Sequence, residues 1–206
     1  MRKLIIVCLV LNTVCLSLRG EETVKKNSSW SLSGMSALTL SQVSLSNWSA
    51  GGEDAIGFNV QFAYNADYKK AKHLWQNRLE LAYGLNRTET DGSKKTNDKI
   101  YISSTYGYGL TKSLYVSSMV SFNSQFAKGY DYKPDPRVLI SRFMAPGYLM
   151  GGLGLTWNPK VYFTATLSAI SWRGTFVTSD VLSEQGAYGV KPGEHLFSEM
   201  GGNLKL

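Results

Sequence analysis

Residues 55–65 read AIGFNVQFAYN, and the alternation in that stretch decides the architecture. Ile56, Phe58, Val60, Phe62 and Tyr64 take one parity, while Gly57, Asn59, Gln61, Ala63 and Asn65 take the other. Successive side chains of a strand point to opposite faces, so this segment is predicted to carry one oily face and one small or polar face.

Working outward, the pattern recurs. Leu79, Leu81, Tyr83 and Leu85 oppose Gln76, Arg78, Glu80, Ala82 and Gly84. Ile102, Tyr106, Tyr108 and Leu110 oppose Ser103, Thr105, Gly107 and Gly109, and Val116, Val120, Phe122 and Phe126 oppose Ser117, Ser121, Asn123 and Gln125. Further strands are predicted at 30–46, 148–157, 161–171 and 197–206, about eight in all. The first of these changes phase between Leu40 and Val43, which predicts a β-bulge near Ser41. Gly151, Gly152 and Gly154 mark a stretch of close backbone approach or curvature. No sustained helical period occurs after residue 20. Turn-forming runs at 65–72, 86–93 and 109–112 separate the strands, with short and long connections in alternation.

The chain opens with MRKLIIVCLVLNTVCLSLRG. Basic Arg2 and Lys3 precede an apolar run from Leu4 to Leu18, interrupted by Asn12 and Thr13, and small or polar residues follow. This is the layout of a secretory signal peptide, and the run is too short for a spanning helix, which needs about 20 apolar residues. Residues 1–20 are therefore expected to be removed, leaving 21–206 as one antiparallel β domain. Cys8 and Cys15, the two cysteines, both leave with the signal, so no disulfide framework is expected. Cys15 lacks the preceding leucine and small residue of a lipid-accepting site. The net charge of +7 falls to +4 when Arg2, Lys3 and Arg19 are removed. The remaining basic residues are scattered beside turns, with no stripe interleaved with aromatics, which argues against nucleic acid as a partner.

Alternation permits a soluble sandwich with its oily faces inside or a membrane barrel with them outside. Segments of 10 to 16 residues suit a tilted crossing of the hydrocarbon layer, which takes about 9–11 residues. Trp75, Tyr83, Tyr106, Tyr108 and Trp157 gather at strand ends as an interfacial girdle would, and the opposite face of Ser, Thr, Asn, Gln and Gly suits a wet lumen. The expected fold is an all-β, antiparallel up-and-down barrel. Because the chain stops at GGNLKL, inside a predicted strand and without a terminal aromatic, the barrel is expected to be C-terminally truncated and incompletely closed.

Several runs resemble an uncharacterised family of exported proteins from Bacteroidetes, a domain of unknown function thought to form outer-membrane β-barrels. They are LSQVSLSNWSAGGE (40–53), Lys72-His73 followed by Trp75, Asn77 and LAYG (81–84), NDKI (97–100), FMAPGY (143–148) and GAYGVKPGE (186–194). The resemblance implies outer-membrane placement and a longer parent domain with further strands. It carries no activity and no catalytic residues.

Chemistry-bearing residues are sparse. The only histidines, His73 and His195, lie in or beside turns, and no metal set, Gly-x-Ser-x-Gly elbow or cofactor motif occurs. Arg78 and Glu80 share the polar face two residues apart, where their side chains can meet, most simply as a structural or pore-tuning pair. A barrel enzyme would have to draw on these two with His73. Trp48, in the NWSAGGED run of 47–54, offers a rigid anchor for a partner or glycan, or a tight connection with an interfacial Trp. Tyr130 and Tyr132, in a Pro-containing loop, offer stacking surfaces for a sugar. The expected function is an outer-membrane barrel with a structural, binding or pore role, its partner outer-membrane lipid. The alternative is a soluble periplasmic barrel or sandwich holding an apolar ligand.

Overall fold

The structure, a computed structural model, describes residues 10–19 (backbone only), 29–45, 52–90, 92–133, 136–160 and 162–205. Nearly all of it is antiparallel sheet, as expected. The strands are β1 Val10–Arg19, β2 Trp30–Ser44, β3 Ala55–Lys70, β4 His73–Thr88, β5 Gly92–Gly109 and β6 Leu114–Ser124, then the short β7 Gly129–Asp131 and β8 Val138–Ser141, then β9 Gly147–Lys160, β10 Phe163–Phe176 and β11 Leu196–Lys205. Nine of them form one sheet in the order β1-β2-β3-β4-β5-β6-β9-β10-β11, and β7 and β8 form a separate hairpin. Neighbours in this order follow one another along the chain, so the topology is an up-and-down meander. Its two edges, β1 and β11, do not pair with each other, and the sheet is open.

Register keeps like with like. Phe62 lies opposite Leu81, Leu79 opposite Ile102, and Ile102 opposite Phe122. On the other face Asn65 lies opposite Arg78, Arg78 opposite Ser103, and Ser103 opposite Ser121. A one-residue slip would transfer each row to the wrong face, which is why two-faced strands specify their register strongly.

The apolar face is the exposed one. Ile102 and Val120 are each 48% exposed, Leu153 58% and Ile170 66%, whereas Ser103, Ser117 and Thr166 are 4% exposed and Thr156 fully buried. A soluble sandwich has the reverse arrangement. Three of the buried hydroxyls satisfy one another: Thr156 Oγ1 donates to Ser117 Oγ at 2.8 Å and shares a hydrogen with Thr166 Oγ1 at 3.0 Å.

The ends of the sheet differ. At one end the connections are short: Ala71 and Lys72 between β3 and β4, 110–113 between β5 and β6, and 161–162 between β9 and β10. At the other lie 45–54, the 125–146 segment bearing β7 and β8, and 177–195. The β4–β5 hairpin runs far into this second end before turning after Thr88. The expected alternation of short and long connections is thus present, although the turns themselves are tighter than the polar runs suggest, because Asn65–Lys70 and Asn86–Thr88 continue their strands.

One expectation about local form needs correction. No bulge interrupts β2: its pairing with β3 runs without a shift from Trp30 opposite Tyr68 to Val43 opposite Ala55. Val43 sits at the strand's end across from a small residue, so one apolar side chain on the polar side requires no irregularity. The bulges lie at Gly84/Leu85, where β4 pairs with β5, and near Ser168–Ser171 in β10. Helical structure does occur within 177–195, as α1 Asp180–Glu184 and a 3-10 turn at Ala187–Gly189. Leu182, Val177, Val190 and Ala145 form a small dry core there, held by Thr178 N–H donating to Met144 O at 2.9 Å and by the Tyr188 hydroxyl donating to Ile140 O. This lobe rests on the long-connection end of the sheet.

Candidate functional site

The polar face is concave, and strands distant in the sheet order meet across it. Asn65 and Asp67 of β3, Gln76, Asn77 and Arg78 of β4, and Ser103 and Thr105 of β5 line a cavity of about 280 Å³. Its far wall is Tyr162, Thr164 and Thr166 at the start of β10 and Lys205 of β11. The lining is hydrogen-bonding throughout, because inward positions alternate with the exposed apolar ones along each strand. Asn77 has the parity of Trp75 and Leu79, and its side chain bonds on the apolar side: its amide donates to Ala66 O at 3.1 Å, and its carbonyl oxygen accepts from Ser104 Oγ, of the parity of Ile102 and Tyr106, at 2.8 Å.

Arg78 and Glu80 do meet. Arg78 Nε lies 2.5 Å from one carboxylate oxygen of Glu80, and Lys99 Nζ, from β5, lies 2.5 Å from the other. The third member was not foreseen, although the sequence held the signal: Lys99 has the parity of Tyr101 and Ser103 and falls next to Ala82 in register. Lys99 also stands 5.5 Å from the Tyr101 ring centroid. Two cations on one carboxylate leave this triad with a net positive charge, and the half-exposed Arg78 guanidinium stands at the rim of the cavity that Asp67 also lines.

His73 does not join this group. It begins β4 on the apolar face, where its Nδ1 lies 2.7 Å from the Tyr106 hydroxyl and its ring packs edge-on to Tyr108. Glu80 is seven residues along the same strand on the opposite face, about 23 Å away at roughly 3.3 Å per residue. The hydrolytic grouping of His73, Arg78 and Glu80 is therefore not assembled. His195, at the other end of the sheet, shares a hydrogen bond with Val177 O at 2.7 Å, so the two histidines cannot serve one metal. Among the described residues no cluster of three metal-ligating side chains occurs.

Tyr130 and Tyr132 come together in β7 and just beyond it, with ring centroids 6.4 Å apart. Arg137 stacks 5.2 Å from the Tyr130 centroid and Lys94 stands 5.2 Å from that of Tyr132, so cations already occupy ring faces that a sugar would use. Trp48 lies outside the described residues. The connection that bears it is closed by Asp54, whose carboxylate accepts the Leu45 N–H at 2.7 Å.

Sequence reasoning also missed an ion pair at the long-connection end. Lys95 Nζ lies 2.7 Å from Asp98 Oδ2 and donates to Ala127 O at 2.8 Å, while Asp98 accepts the backbone N–H groups of Phe126 and Ala127 at 2.7 and 3.0 Å. The Asp98 side chain is 2% exposed and that of Lys95 13%. The cluster clamps the chain leaving β6 to the protruding β4–β5 hairpin.

No curated protein and no solved structure matches the chain. A family model described as a protein of unknown function (DUF3078) matches residues 40–130, from within β2 to the start of β7, the part of the chain that includes β3–β5 and the clamp.

Proposed function

We propose that this chain forms the wall of an outer-membrane β-barrel, with a polar lumen that serves a structural, binding or pore role. One observation carries the reading: the face built of Ile, Leu, Val and Phe is the exposed one, and the face built of Ser, Thr, Asn and Gly is the buried one. In water, an apolar surface running across a whole sheet would far exceed the few hundred Å² that soluble monomers usually expose. In hydrocarbon it is the required surface, because the backbone groups are satisfied within the sheet and only closed or covered edges are tolerated.

Three further features agree. The seven long strands that follow β1, before β11, run from 11 to 18 residues, enough for a tilted crossing of about 9–11 residues. Connections are short at one end and long at the other, as in bacterial barrels. Aromatic rings gather at the short-turn end, where Trp30 packs on Tyr68 and Trp75 at 5.2 and 5.6 Å and Trp157 on Phe163 at 5.6 Å. The export signal expected in residues 1–20 belongs to the same reading, and its removal would take β1 from the edge of β2. A carrier of apolar ligands would need its oily side chains inward, and the hydroxyl-lined interior favours the membrane.

The experiment is partition. The mature chain is expected in the outer-membrane fraction, resistant to salt and alkaline wash and released only by detergent. Recovery from the periplasm in detergent-free buffer overturns the proposal.

A further inference from the structure

We infer that the short-turn end is a docking surface for anionic phospholipid headgroups, an inference that rests on the membrane reading above and assigns which leaflet that end meets. The acids of the molecule are segregated, whereas cations lie at both ends, Arg87, Lys128, Lys133, Arg137, Arg142 and Lys191 among them at the long-connection end. Lys69 and Lys70 at the end of β3, Lys72 in the following turn, Lys112 in the β5–β6 turn and Lys160 at the end of β9 are all exposed and all lie at this end. Among the described residues the one acid there is Asp67, and it lines the lumen cavity. Glu53, Asp54, Glu89, Asp131, Asp180, Glu184 and Glu194 all lie in the connections of the opposite end.

The lysines sit just beyond the aromatic band. Lys72 Nζ lies 5.7 Å from the Tyr108 centroid and Lys160 Nζ 5.6 Å from that of Tyr162. Tyr and Trp rings settle at the level of the headgroups, and a Lys stem reaches outward from that level with its ammonium in the polar layer. Each ammonium then reaches the level of a headgroup phosphate, in a layer of reduced dielectric, and among the described residues no carboxylate other than that of Asp67 lies at this end to neutralise it. Short turns face the periplasm in bacterial barrels, and the leaflet on that side is phospholipid. Charge complementarity thus selects an acidic phospholipid, and the ring of cations fixes the direction in which the sheet inserts.

The test uses the full mature chain refolded from denaturant into phosphatidylcholine vesicles, with and without phosphatidylglycerol. Insertion is followed by quenching of tryptophan by lipid-borne quenchers and by protease resistance. Insertion into both vesicle types is expected, about tenfold faster or more complete with the anionic lipid at low salt. The advantage should vanish in the variant with Lys69, Lys70, Lys72, Lys112 and Lys160 each changed to Gln, and persist in a control with Lys128, Lys133 and Lys191 changed to Gln. The five-Gln variant should still insert into neutral vesicles as the parent does, which separates lost headgroup contact from misfolding. Equal insertion into both vesicle types overturns the inference and leaves the barrel reading standing, as does an anionic advantage unchanged in the five-Gln variant. Failure of the parent to insert into either vesicle overturns the barrel reading itself.

Discussion

At the scale of single residues, the Asp98 carboxylate does the most identifiable work. It is 2% exposed and accepts two backbone N–H groups besides pairing with Lys95. Removing one partner of a buried pair typically costs about 3–5 kcal/mol, because the other charge is stranded. Asp98→Ala is therefore expected to release residues 125–131, seen as amide exchange there accelerated by two to three orders of magnitude while the β3–β5 strands stay protected. Glu53 makes a weaker, pH-dependent tie. Hydrogen bonds from Thr90, including its N–H at 2.9 Å, hold the Glu53 carboxyl below its ordinary value of 4.5. A lowered carboxyl contributes stability above its unfolded pKa and loses it as pH falls through the folded one. The protection factor of the Thr90 amide, its rate relative to the intrinsic rate at each pH, should therefore fall on acidification below about pH 4.5, and Glu53→Gln should flatten that dependence; an unchanged profile in the variant would assign the effect elsewhere. Ala71 holds the two-residue β3–β4 turn at φ 51°, a conformation costing an L residue about 1–2 kcal/mol. Ala71→Gly is expected to stabilise by up to about 1 kcal/mol in denaturant titration, after allowing for the greater chain entropy of glycine.

At the scale of elements, strands were readable and their interruptions were not. The stretches 30–46, 148–157, 161–171 and 197–206 each became a strand with ends moved by a few residues, because period-two alternation survives one-residue noise. The bulge at Gly84/Leu85 was invisible, since it depends on β5 having one more residue than β4 at that level. Its effect is specific. Lys95 and Asp98 are three apart and would point to opposite faces of a regular strand; the extra residue, Thr96, turns both to one side and permits their contact. Deletion of Thr96 is expected to abolish the clamp as completely as Asp98→Ala does, readable in the same exchange experiment. The lobe at 177–195 was missed for a different reason: its helix of five residues is shorter than two turns and leaves no period to detect. Its core residue Leu182 is 2% exposed, so Leu182→Ala should cost this lobe about 2–5 kcal/mol. Protease cleavage within 178–193, with the sheet's circular dichroism intact, is the expected result.

For the whole molecule, sequence parity alone named the two faces correctly, and register joined them into continuous surfaces. What it could not give was the curvature that brings β10 and β11 opposite β3–β5, so Arg78 was picked out but Asn65, Asp67, Gln76 and Lys205 were not seen as its neighbours around one cavity. The membrane reading makes a further prediction here. Val120→Lys, on the exposed face near the middle of β6, should destabilise the bilayer-inserted form by about 2–4 kcal/mol. Asn65→Lys, on the lumen wall, should be nearly neutral, and equal costs at the two sites would count against lipid around the outer face.

The strict one-in-two spacing of oily residues also bears on how such a chain reaches its destination. A translocating polypeptide is halted in the inner membrane by a run of about 20 consecutive apolar residues, and after residue 20 no such run exists; in β3, for example, every Ile, Phe or Val is followed by Asn, Gln, Gly or Ala. Under the proposed membrane reading, the unfolded strand, bland on average, would pass through an aqueous conduit unarrested. Its greasiness would emerge only when neighbouring strands align their odd and even positions, so the molecule would conceal its affinity for lipid until pairing has begun.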